Sequence, residues 1–229
     1  MTFFVSESSL TLVFYKQQSM VNVFMIDDHP AMIEGISFQF SEPEDRVRLV
    51  GSSLNATDAL FKMPSLDVQV ILLDLFINTD SPVSNLQLLR AAWPDMPVVI
   101  YSAEDSTWWK YKMFGLRVNA FLNKCIDNET IITSILQVSN GSVLLPSDVK
   151  DMLNPVIHSF ETASLTWEDL EVGKEMSFGL SIKEIAEKLH KSPSSIEKHL
   201  RIMRMKTHTH SNPDLTRTLI SRKLVPLSR

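Results

Sequence analysis

Between residues 21 and 145 the chain alternates between short apolar runs and longer stretches in which apolar residues recur at helical spacing. The apolar runs are VNVFMID, VRLVGSS, VQVILLDL, PVVIYSA and VNAFLNK. Strands that alternate with helices are typical of a parallel sheet covered by helices. The central runs are apolar at consecutive positions, as expected when both faces of a sheet are buried. The pattern predicts five βα units, with the first helix starting at Pro30 and the last running from about Asn128 to Ser139.

The pattern changes after residue 145. Residues 146–164, PSDVKDMLNPVIHSFETAS, indicate a linker with one short helix that the second proline breaks. From residue 165 onward only helical spacing is found. Thr166 with Asp169, and Ser181 with Glu184, have the spacing of residues that cap helix N-termini.

A third start signal is Ser192 followed by Pro193. It comes about three residues after the end of the helix that starts at Ser181. Pro is favoured in the first turn of a helix and Ser at the cap. The two helices would therefore be joined by a tight turn, which predicts a helix-turn-helix.

Composition agrees with a soluble globular protein of one or two domains, since 44% of the 229 residues are hydrophobic and 21% are charged. No apolar run approaches the roughly 20 residues that cross a bilayer, so we expect no membrane span. The first twenty residues have no basic residue ahead of their apolar patch, unlike a secretory signal. The single cysteine, Cys125, permits no internal disulfide, which fits a reducing cytoplasm.

Charge divides the chain near residue 164. Residues 165–229 contain twelve Lys and Arg against eight Asp and Glu, whereas residues 1–164 contain ten against nineteen. A basic part joined to an acidic part suggests a nucleic-acid reader attached to something else. The alternative is two solvated surfaces of unlike charge, which this observation alone leaves open.

Polar residues stand where the predicted strands end. Asp27 and Asp28 follow the first strand, Asp74 the third, Ser102 the fourth and Lys124 the fifth. Ligands of open parallel sheets bind at the carboxyl ends of the strands. Three acids together repel one another unless a cation joins them, and Mg²⁺ prefers such oxygen ligands. A hydroxyl and an ammonium nearby would bind a phosphoryl group, so the set predicts a site for phosphorylating an Asp, although each residue alone could be an ordinary loop or surface residue.

Residues 21–145 resemble the receiver domain of two-component response regulators, and the whole chain resembles the NarL/FixJ type. The resemblance is carried by IDDHP, by the 28 residues from Asp74 to Ser102, by the 22 from Ser102 to Lys124, and by SNGSVLLP after the fifth helix. It implies an α/β flavodoxin-like fold with a five-stranded parallel sheet, followed by a small all-α four-helix domain with a helix-turn-helix.

The resemblance also implies roles at the metal and phosphoryl sites. Asp74 would be the phosphoacceptor and would take the phosphoryl group from a phospho-His of a partner sensor histidine kinase. Asp28 would bind Mg²⁺ directly and Asp27 partly through water, with the backbone carbonyl of Phe76 as a further ligand. Three residues would bind the phosphoryl group or report it, with Lys124 touching it, Ser102 turning toward it and Phe121 turning inward.

Some residues depart from the family pattern. Ile77 and Asn78 stand where the family usually has Met-Pro, and Asn85 stands where a Gly is usual. We therefore expect a remodelled loop after Asp74. The fourth helix, STWWKYKMFG, is unusually aromatic, and Trp108 and Trp109 are interpreted as packing or interface residues.

The helix that starts at Pro193 has two unlike faces when its residues are placed 100° apart. Ile196, Leu200 and Met203 share one face, while cationic residues lie on the opposite face and flank. This suits a recognition helix in the major groove of DNA, although an ordinary amphipathic surface helix would show the same stripe. The predicted DNA-binding residues are Ser194, Ser195, Glu197, Lys198, Arg201 and Arg204.

Residues 165–225 resemble the LuxR-type DNA-binding domain, most specifically through GLSIKEIA and SIEKHL. Trp167 replaces a frequent Pro, Gly173 falls where an apolar residue is usual, and Glu197 takes a position that is often basic. An acid there could accept a hydrogen bond from cytosine. By resemblance the last helix pairs two domains on a near-palindromic site, with Leu215 and Leu219 inward or at the dimer interface.

The sequence therefore predicts a cytoplasmic transcription regulator. Its parts would be an extension of unknown role at 1–19, a receiver at 20–145, a linker at 146–164 and the DNA-binding domain at 165–229. We expect a homodimer when active, RNA polymerase as a further candidate partner, no membrane partner, and no enzyme activity beyond its own phosphorylation and dephosphorylation.

Two alternatives stay open. One is an atypical regulator with the same DNA-binding domain that phosphorylation does not control. The other, more distant, is a metal-dependent phosphohydrolase, which would want a second acid two residues after the nucleophile, where this chain has Phe76.

Overall fold

The apolar runs form one parallel sheet whose strand order is β2-β1-β3-β4-β5. This confirms the predicted five-stranded sheet. The strands are β1 Val21–Ile26, β2 Val47–Ser53, β3 Val70–Leu73, β4 Val98–Ser102 and β5 Ala120–Asn123. The order places β1 and β3 side by side in the middle, so Asp27 and Asp74 emerge from adjacent strands at the same edge.

The computed structural model describes residues 20–41, 46–78, 80–153 and 165–227. The predicted extension at residues 1–19 and residues 154–164 of the predicted linker lie outside the described residues. Among the described helices, none combines the length and the apolar character needed to span a membrane.

Helices connect the strands and cover both faces of the sheet. They are α1 Pro30–Gln39, α2 Ala56–Lys62, α3 Pro82–Ala92, α4 Thr107–Gly115, α5 Asn128–Ser139 and α6 Ser147–Leu153, with a 3₁₀ turn at Met63–Ser65. Pro30 opens α1 as predicted, and the side chain of Asp127 caps α5 by accepting the N–H of Thr130. Helix α6 lies in the predicted linker.

Two hydrophobic clusters pack on the two faces of the sheet. Along β1, Phe24 and Ile26 belong to one cluster, while Val23 and Met25 belong to the other. Side chains alternate between faces along a strand, so a strand that is apolar at every position is buried on both sides. The consecutive apolar residues therefore have the burial that the pattern predicted.

The C-terminal part is a bundle of four helices around a third hydrophobic cluster. The helices are α7 Trp167–Ser177, α8 Ile182–Lys188, α9 Pro193–Thr207 and α10 Asn212–Ser221. Thr166 and Ser181 form the predicted capping boxes, and Ser192 caps α9. His190, at φ 53°, lies in the turn that joins α8 to α9. The predicted helix-turn-helix is confirmed.

Gly173 lies on the side of α7 that packs against α9 and α10. A Cβ atom at this position would lie 2.8 Å from Cδ1 of Leu219 and 3.5 Å from the sulfur of Met203. Side chains from the two neighbouring helices thus fill the space that a larger residue would take. This explains physically why glycine stands at a position where the family usually has an apolar side chain.

Candidate metal centre and candidate nucleic-acid interface

The acids predicted at the strand ends lie together in the structure. Asp27 is fully buried and Asp74 is 6% exposed. Asp27, Asp28, His29 and Asp74 each offer one ligand atom, and these atoms all lie within 4.8 Å of one another. His29 was not among the predicted residues, although it adjoins the two acids in the sequence.

Lys124 connects the two buried acids. Its ammonium nitrogen lies 2.7 Å from Oδ2 of Asp27 and 2.9 Å from Oδ2 of Asp74. Burial raises the pKa of Asp74 and outweighs Lys124, which lowers it. Burial alone would lower the pKa of Lys124, but its hydrogen bonds to both acids outweigh that effect, so its pKa is raised. The ammonium of Lys124 therefore balances part of the charge of the two carboxylates. It lies beside the position where a phosphoryl group is expected to bind.

One carboxylate oxygen of Asp28, Oδ1, is a candidate ligand for a cation. Nδ1 of His29 lies 2.8 Å from Oδ1 of Asp28, but the contact lacks hydrogen-bond geometry. This oxygen is buried and has no hydrogen-bond partner among the described residues. Buried carboxylate oxygens without donors are costly, and hard cations such as Mg²⁺ bind carboxylate oxygens. The donor set therefore fits Mg²⁺.

The loop after Asp74 contributes a contact that the sequence analysis did not predict. The backbone N–H of Asn78 donates to Oδ2 of Asp28 at 2.7 Å. Asn78 has φ 52°, a left-handed conformation that Asn tolerates better than most residues. A proline at this position, as in the family, has no N–H to donate. The departure at Asn78 was visible in the sequence, but the bond depends on the backbone conformation.

The predicted switch residues lie beside this site. Ser102 is buried, and its hydroxyl oxygen accepts the N–H of Glu104 at 3.2 Å. Phe121 is 7% exposed and belongs to one core cluster. Phe76 is 36% exposed, and its ring meets the ring edge of Trp109 at a centroid distance of 5.4 Å.

Helix α9 has the predicted division into two faces. Ile196, Leu200 and Met203 are buried in the third cluster. On the other side, the exposed predicted residues are Ser194, Glu197, Lys198 and Arg201, and the half-buried ones are Ser195 and Arg204. Met205, also exposed, extends the same face. A helix face with two exposed cations is suited to the phosphates and bases of a DNA groove.

The two predicted arginines differ in how firmly neighbouring residues hold them. Arg204 donates to the side chain of Asn212, so its guanidinium is partly committed inside the domain. Within the described part of the chain, Arg201 makes a weak contact, 3.9 Å to the sulfur of Met205. Arg201 is therefore the more available cation for a nucleic acid.

A polar contact that the sequence analysis missed orients α9 against α7. Nδ1 of His199 lies 2.8 Å from Oδ1 of Asp169, while Oδ2 of Asp169 accepts the N–H of Thr166. One carboxylate thus caps α7 and contacts the predicted recognition helix. The cap was readable from spacing, but the contact with His199 is a tertiary one.

Leu215 and Leu219 are both fully buried in the third cluster. Of the two placements that the sequence left open, the structure has the inward one. Their side chains cannot form a contact surface between two copies in this conformation, because the core of their own domain covers them.

The parallel sheet with clustered acids, followed by a four-helix bundle with a helix-turn-helix, defines a receiver joined to a DNA-binding type of domain. Residues 23–136 match the family described as response regulator receiver domain, and residues 163–219 match the bacterial regulatory proteins of the luxR family. The chain belongs to the response regulators that combine a receiver domain with a LuxR-type DNA-binding domain.

The chain is similar to the nitrate/nitrite response regulator protein homolog of Haemophilus influenzae, at 29% identity over 85% of this chain and 93% of the relative. It is 27% identical to the nitrate/nitrite response regulator NarP of Escherichia coli, over 82% of this chain and 89% of NarP. A solved structure of the response regulator RcsB in complex with DNA has a TM-score of 0.59 at 21% identity, over 88% of this chain and 98% of that one. At this identity the likeness to RcsB shows the fold alone.

Proposed function

We propose that this protein is a transcription regulator of a two-component system, which a sensor histidine kinase switches by phosphorylating Asp74. The observation that carries the proposal is the buried contact of Lys124 with Asp27 and Asp74 at the ends of three strands. A solvated loop acid would not be held in this way. We place the protein in the cytoplasm, where its proposed DNA partner is found.

Phosphoryl transfer needs a nucleophile, charge balance and a path for the attack. A carboxylate oxygen of Asp74 attacks the phosphorus in line, the P–O bond forms, and the P–N bond to the kinase histidine breaks. Lys124 takes up part of the charge on the phosphoryl oxygens, and the hydroxyl of Ser102 donates a hydrogen bond to one of them. These groups line the same cleft as Asp74.

Mg²⁺ is the proposed cofactor. Asp27, Asp28, Asp74 and the backbone carbonyl of Phe76 would hold it. When bound, the ion supplies positive charge that offsets the phosphoryl oxygens in the transition state. Oδ1 of Asp28 supports this assignment because it is buried and accepts no hydrogen bond from the residues that the structure describes.

On the output side, α9 is proposed to enter the major groove. Lys198 and Arg201 would contact phosphates or guanine, and Glu197 could accept from cytosine. We propose a near-palindromic site bound by two copies of the chain, since two-fold symmetric proteins bind two-fold symmetric sites. As Leu215 and Leu219 are buried, the pairing surface would be formed by other residues.

Incubation with acetyl phosphate and Mg²⁺, followed by intact mass measurement, tests the phosphorylation. Wild type should gain one phosphoryl group, while Asp74→Asn, which has nearly the same shape, should gain none. Chelating the Mg²⁺ should abolish the gain. No gain on folded wild type, or an equal gain on Asp74→Asn, would contradict the proposal.

The same samples separate the alternatives. If phosphorylated and untreated protein bind DNA with the same affinity and stoichiometry, the chain is an atypical regulator. If the protein were a phosphohydrolase, wild-type protein would hydrolyse many molecules of a phosphate ester per molecule of protein. Phe76 makes that alternative weak, because a phenyl ring offers no proton to a leaving group.

A further inference from the structure

A cavity of about 520 Å³ lies beside β5, at the edge of the receiver sheet, and we call it the α4 cavity. Among the described residues, none lines both this cavity and the cleft that contains Asp74. Its apolar walls come from the end of α4, the approach to β5, the segment after α5 and helix α6. These wall residues are Phe114, Val118, Val143, Leu145 and Val149. Ligand pockets are typically apolar cavities of roughly 300–1,000 Å³, so the α4 cavity has the size and character of a small-molecule site.

Two polar side chains on the lining of the α4 cavity offer hydrogen-bond donors. Oδ1 of Asn119 accepts the N–H of Val98 at 3.0 Å, so the amide N–H groups of Asn119 are the part left to contact a ligand. Arg117 is exposed, and it is the one charged residue that the structure describes on the lining. No acidic residue of the described chain lines the cavity. The lining therefore attracts an anion and offers no carboxylate to a cation.

A second arginine adds to the positive charge beside the α4 cavity. The guanidinium of Arg90 donates to the backbone carbonyl of Arg117 at 2.6 Å. Burial lowers the pKa of Arg90, the charge of Arg117 lowers it further, and the opposing effect of Asp95 is smaller than either. The two guanidinium groups therefore repel each other, and the nearest carboxylate offsets this repulsion only in part. An anion bound at Arg117 would offset the rest.

These features define the chemistry of a ligand. A guanidinium forms two parallel hydrogen bonds with a carboxylate and attracts its charge as well. The single cation on the lining suits one negative charge, whereas a nucleotide or another polyanion would want several cations. The walls suit an apolar body, because burial there removes apolar surface from water. A small molecule with one carboxylate and an apolar body therefore matches both parts of the cavity.

We propose that the α4 cavity binds a small molecule with an apolar body and one carboxylate, which Arg117 and the amide N–H groups of Asn119 hold. The apolar body packs against the walls that α4 and α6 provide. Tyr111 also lines the cavity, and its ring stacks on Trp167 of the DNA-binding domain at a centroid distance of 4.7 Å. The ligand therefore contacts a receiver residue that packs directly on the DNA-binding domain. The site does not depend on phosphorylation of Asp74.

The test uses two anions and the full chain. The first is anilinonaphthalene sulfonate, an aromatic anion whose fluorescence rises in apolar sites, and the second is decanoate, which should displace it. We expect saturable binding with one site per chain. Decanol and decylamine have the same apolar chain without the negative charge, so they should displace the fluorescent anion about tenfold less well or worse.

The first variant is Arg117→Asn, which removes the guanidinium. Arg117 has φ 63°, a left-handed conformation that Asn tolerates well, so the turn after α4 should be kept. The affinity for decanoate should fall about tenfold, as expected for loss of a hydrogen bond to a charged group. Arg46→Asn is the matched control, because Arg46 is also an exposed arginine, has φ 58° and does not line the cavity. Its affinity should equal that of wild type.

A pair of variants at Val143 separates charge from packing. Val143 lines the cavity and is 58% exposed, so its replacement by a longer polar side chain should leave the fold intact. Val143→Lys adds a cation beside the proposed carboxylate, and Val143→Glu adds an anion. Decanoate should bind about threefold more tightly to the first and about threefold more weakly to the second, a size typical of exposed charges. A defect in folding or packing would weaken binding in both.

Several results would overturn the carboxylate site. One is the absence of saturable binding of either anion to wild type, and another is equal binding to Arg117→Asn and Arg46→Asn. Changes of the same sign in Val143→Lys and Val143→Glu would show that the site does not read charge. Displacement by decylamine as strong as that by decanoate would show an apolar surface without selectivity for anions. None of these measurements involves Asp74, so the proposed function and the ligand site stand or fail separately.

Discussion

The phosphoacceptor site and the exposed face of α9 are assembled in opposite ways. Lys124 and Asp27 are separated by 97 positions in the chain and meet in a buried contact, as do Lys124 and Asp74 across 50 positions. Glu197, Lys198 and Arg201 lie within one helix turn or so and are exposed. Groups that share partners in a buried network act as a unit, whereas separate exposed groups act nearly independently. We therefore expect large, coupled effects at the first region and smaller, additive ones at the second.

The largest effect is expected for Lys124→Met. It leaves the carboxylates of Asp27 and Asp74 buried without their cation, so the free energy of unfolding should fall by about 3 kcal/mol. Mg²⁺ should restore part of this loss and stabilise the variant more than wild type, because it binds the folded site. Urea unfolding with and without Mg²⁺ measures both changes.

Lys183→Met is the control for that change, since Lys183 is an exposed residue of α8. Exposed substitutions usually change stability by about 0.5 kcal/mol or less. If Lys124→Met costs no more than Lys183→Met, the buried network does not hold the site together, and the contrast with α9 disappears.

At α9 we expect two arginines to contribute unequally to DNA affinity. Arg201→Ala should weaken binding of a specific DNA by about 2 kcal/mol if Arg201 contacts a guanine, and less if it contacts only phosphate. Arg204→Ala should cost less, because Arg204 is already engaged by Asn212. Affinities of the full chain at several salt concentrations separate the two, because loss of a phosphate contact reduces the salt dependence by about one ion.

Additivity is the critical outcome for these arginines. The loss of DNA-binding free energy in the double variant should be about the sum of the losses in the two single variants. A loss in Arg204→Ala equal to or larger than that in Arg201→Ala would mean that Asn212 does not restrain Arg204, and that the exposed face has been assigned wrongly.

The two regions also differ in how far the sequence could predict them. Asp27, Asp74 and Lys124 were predicted together because apolar runs define strand ends, and the ends of parallel strands share one edge of the sheet. The faces of α9 followed from spacing alone. In both cases side-chain identity and a regular backbone are enough for the prediction.

What the sequence did not predict depends on irregular backbone or on contacts between domains. The bond from Asn78 uses a backbone N–H in a left-handed conformation, and side-chain identity does not specify this conformation. Trp108 was interpreted as a packing or interface residue, but its partner Trp167 could not be named because the two lie in different domains. The packing of Leu219 depends on the space that Gly173 leaves.

The Asn78 contact provides a smaller test of coupling in the first region. Asn78→Pro removes the N–H that Asp28 accepts, and a hydrogen bond to a charged group is worth about 1.5 kcal/mol or more. Asn78→Gly keeps the N–H and suits a φ of 52°, so it should change the stability by less than about 0.5 kcal/mol. Urea unfolding of both variants gives the difference.

Proline also disfavours the left-handed backbone, so the bond must be separated from that cost. In an Asp28→Ala background the acceptor is gone, and the extra loss from Asn78→Pro should shrink by the value of the bond. An unchanged loss in that background would assign the whole effect to the backbone and remove Asn78 from the coupled network.

The smallest expected effect concerns the ionisation of Asp74. Because its pKa in the folded protein is raised above the ordinary value of 3.8, its contribution to stability is fully present below 3.8 and is lost as the pH rises through the folded pKa. Without Mg²⁺, Asp74→Asn should therefore be more stable than wild type at pH 7, and the gap should close as the pH falls. Groups that do not interact with Asp74 titrate alike in both proteins and cancel in this difference. Excess Mg²⁺ should reverse the order at pH 7, because the ion binds the site that keeps the carboxylate of Asp74 more tightly than the site that has lost it. A wild type that is the more stable form at pH 7 without Mg²⁺ would mean that Lys124 fully compensates the burial of Asp74, in which case the site would need no metal to hold its charge.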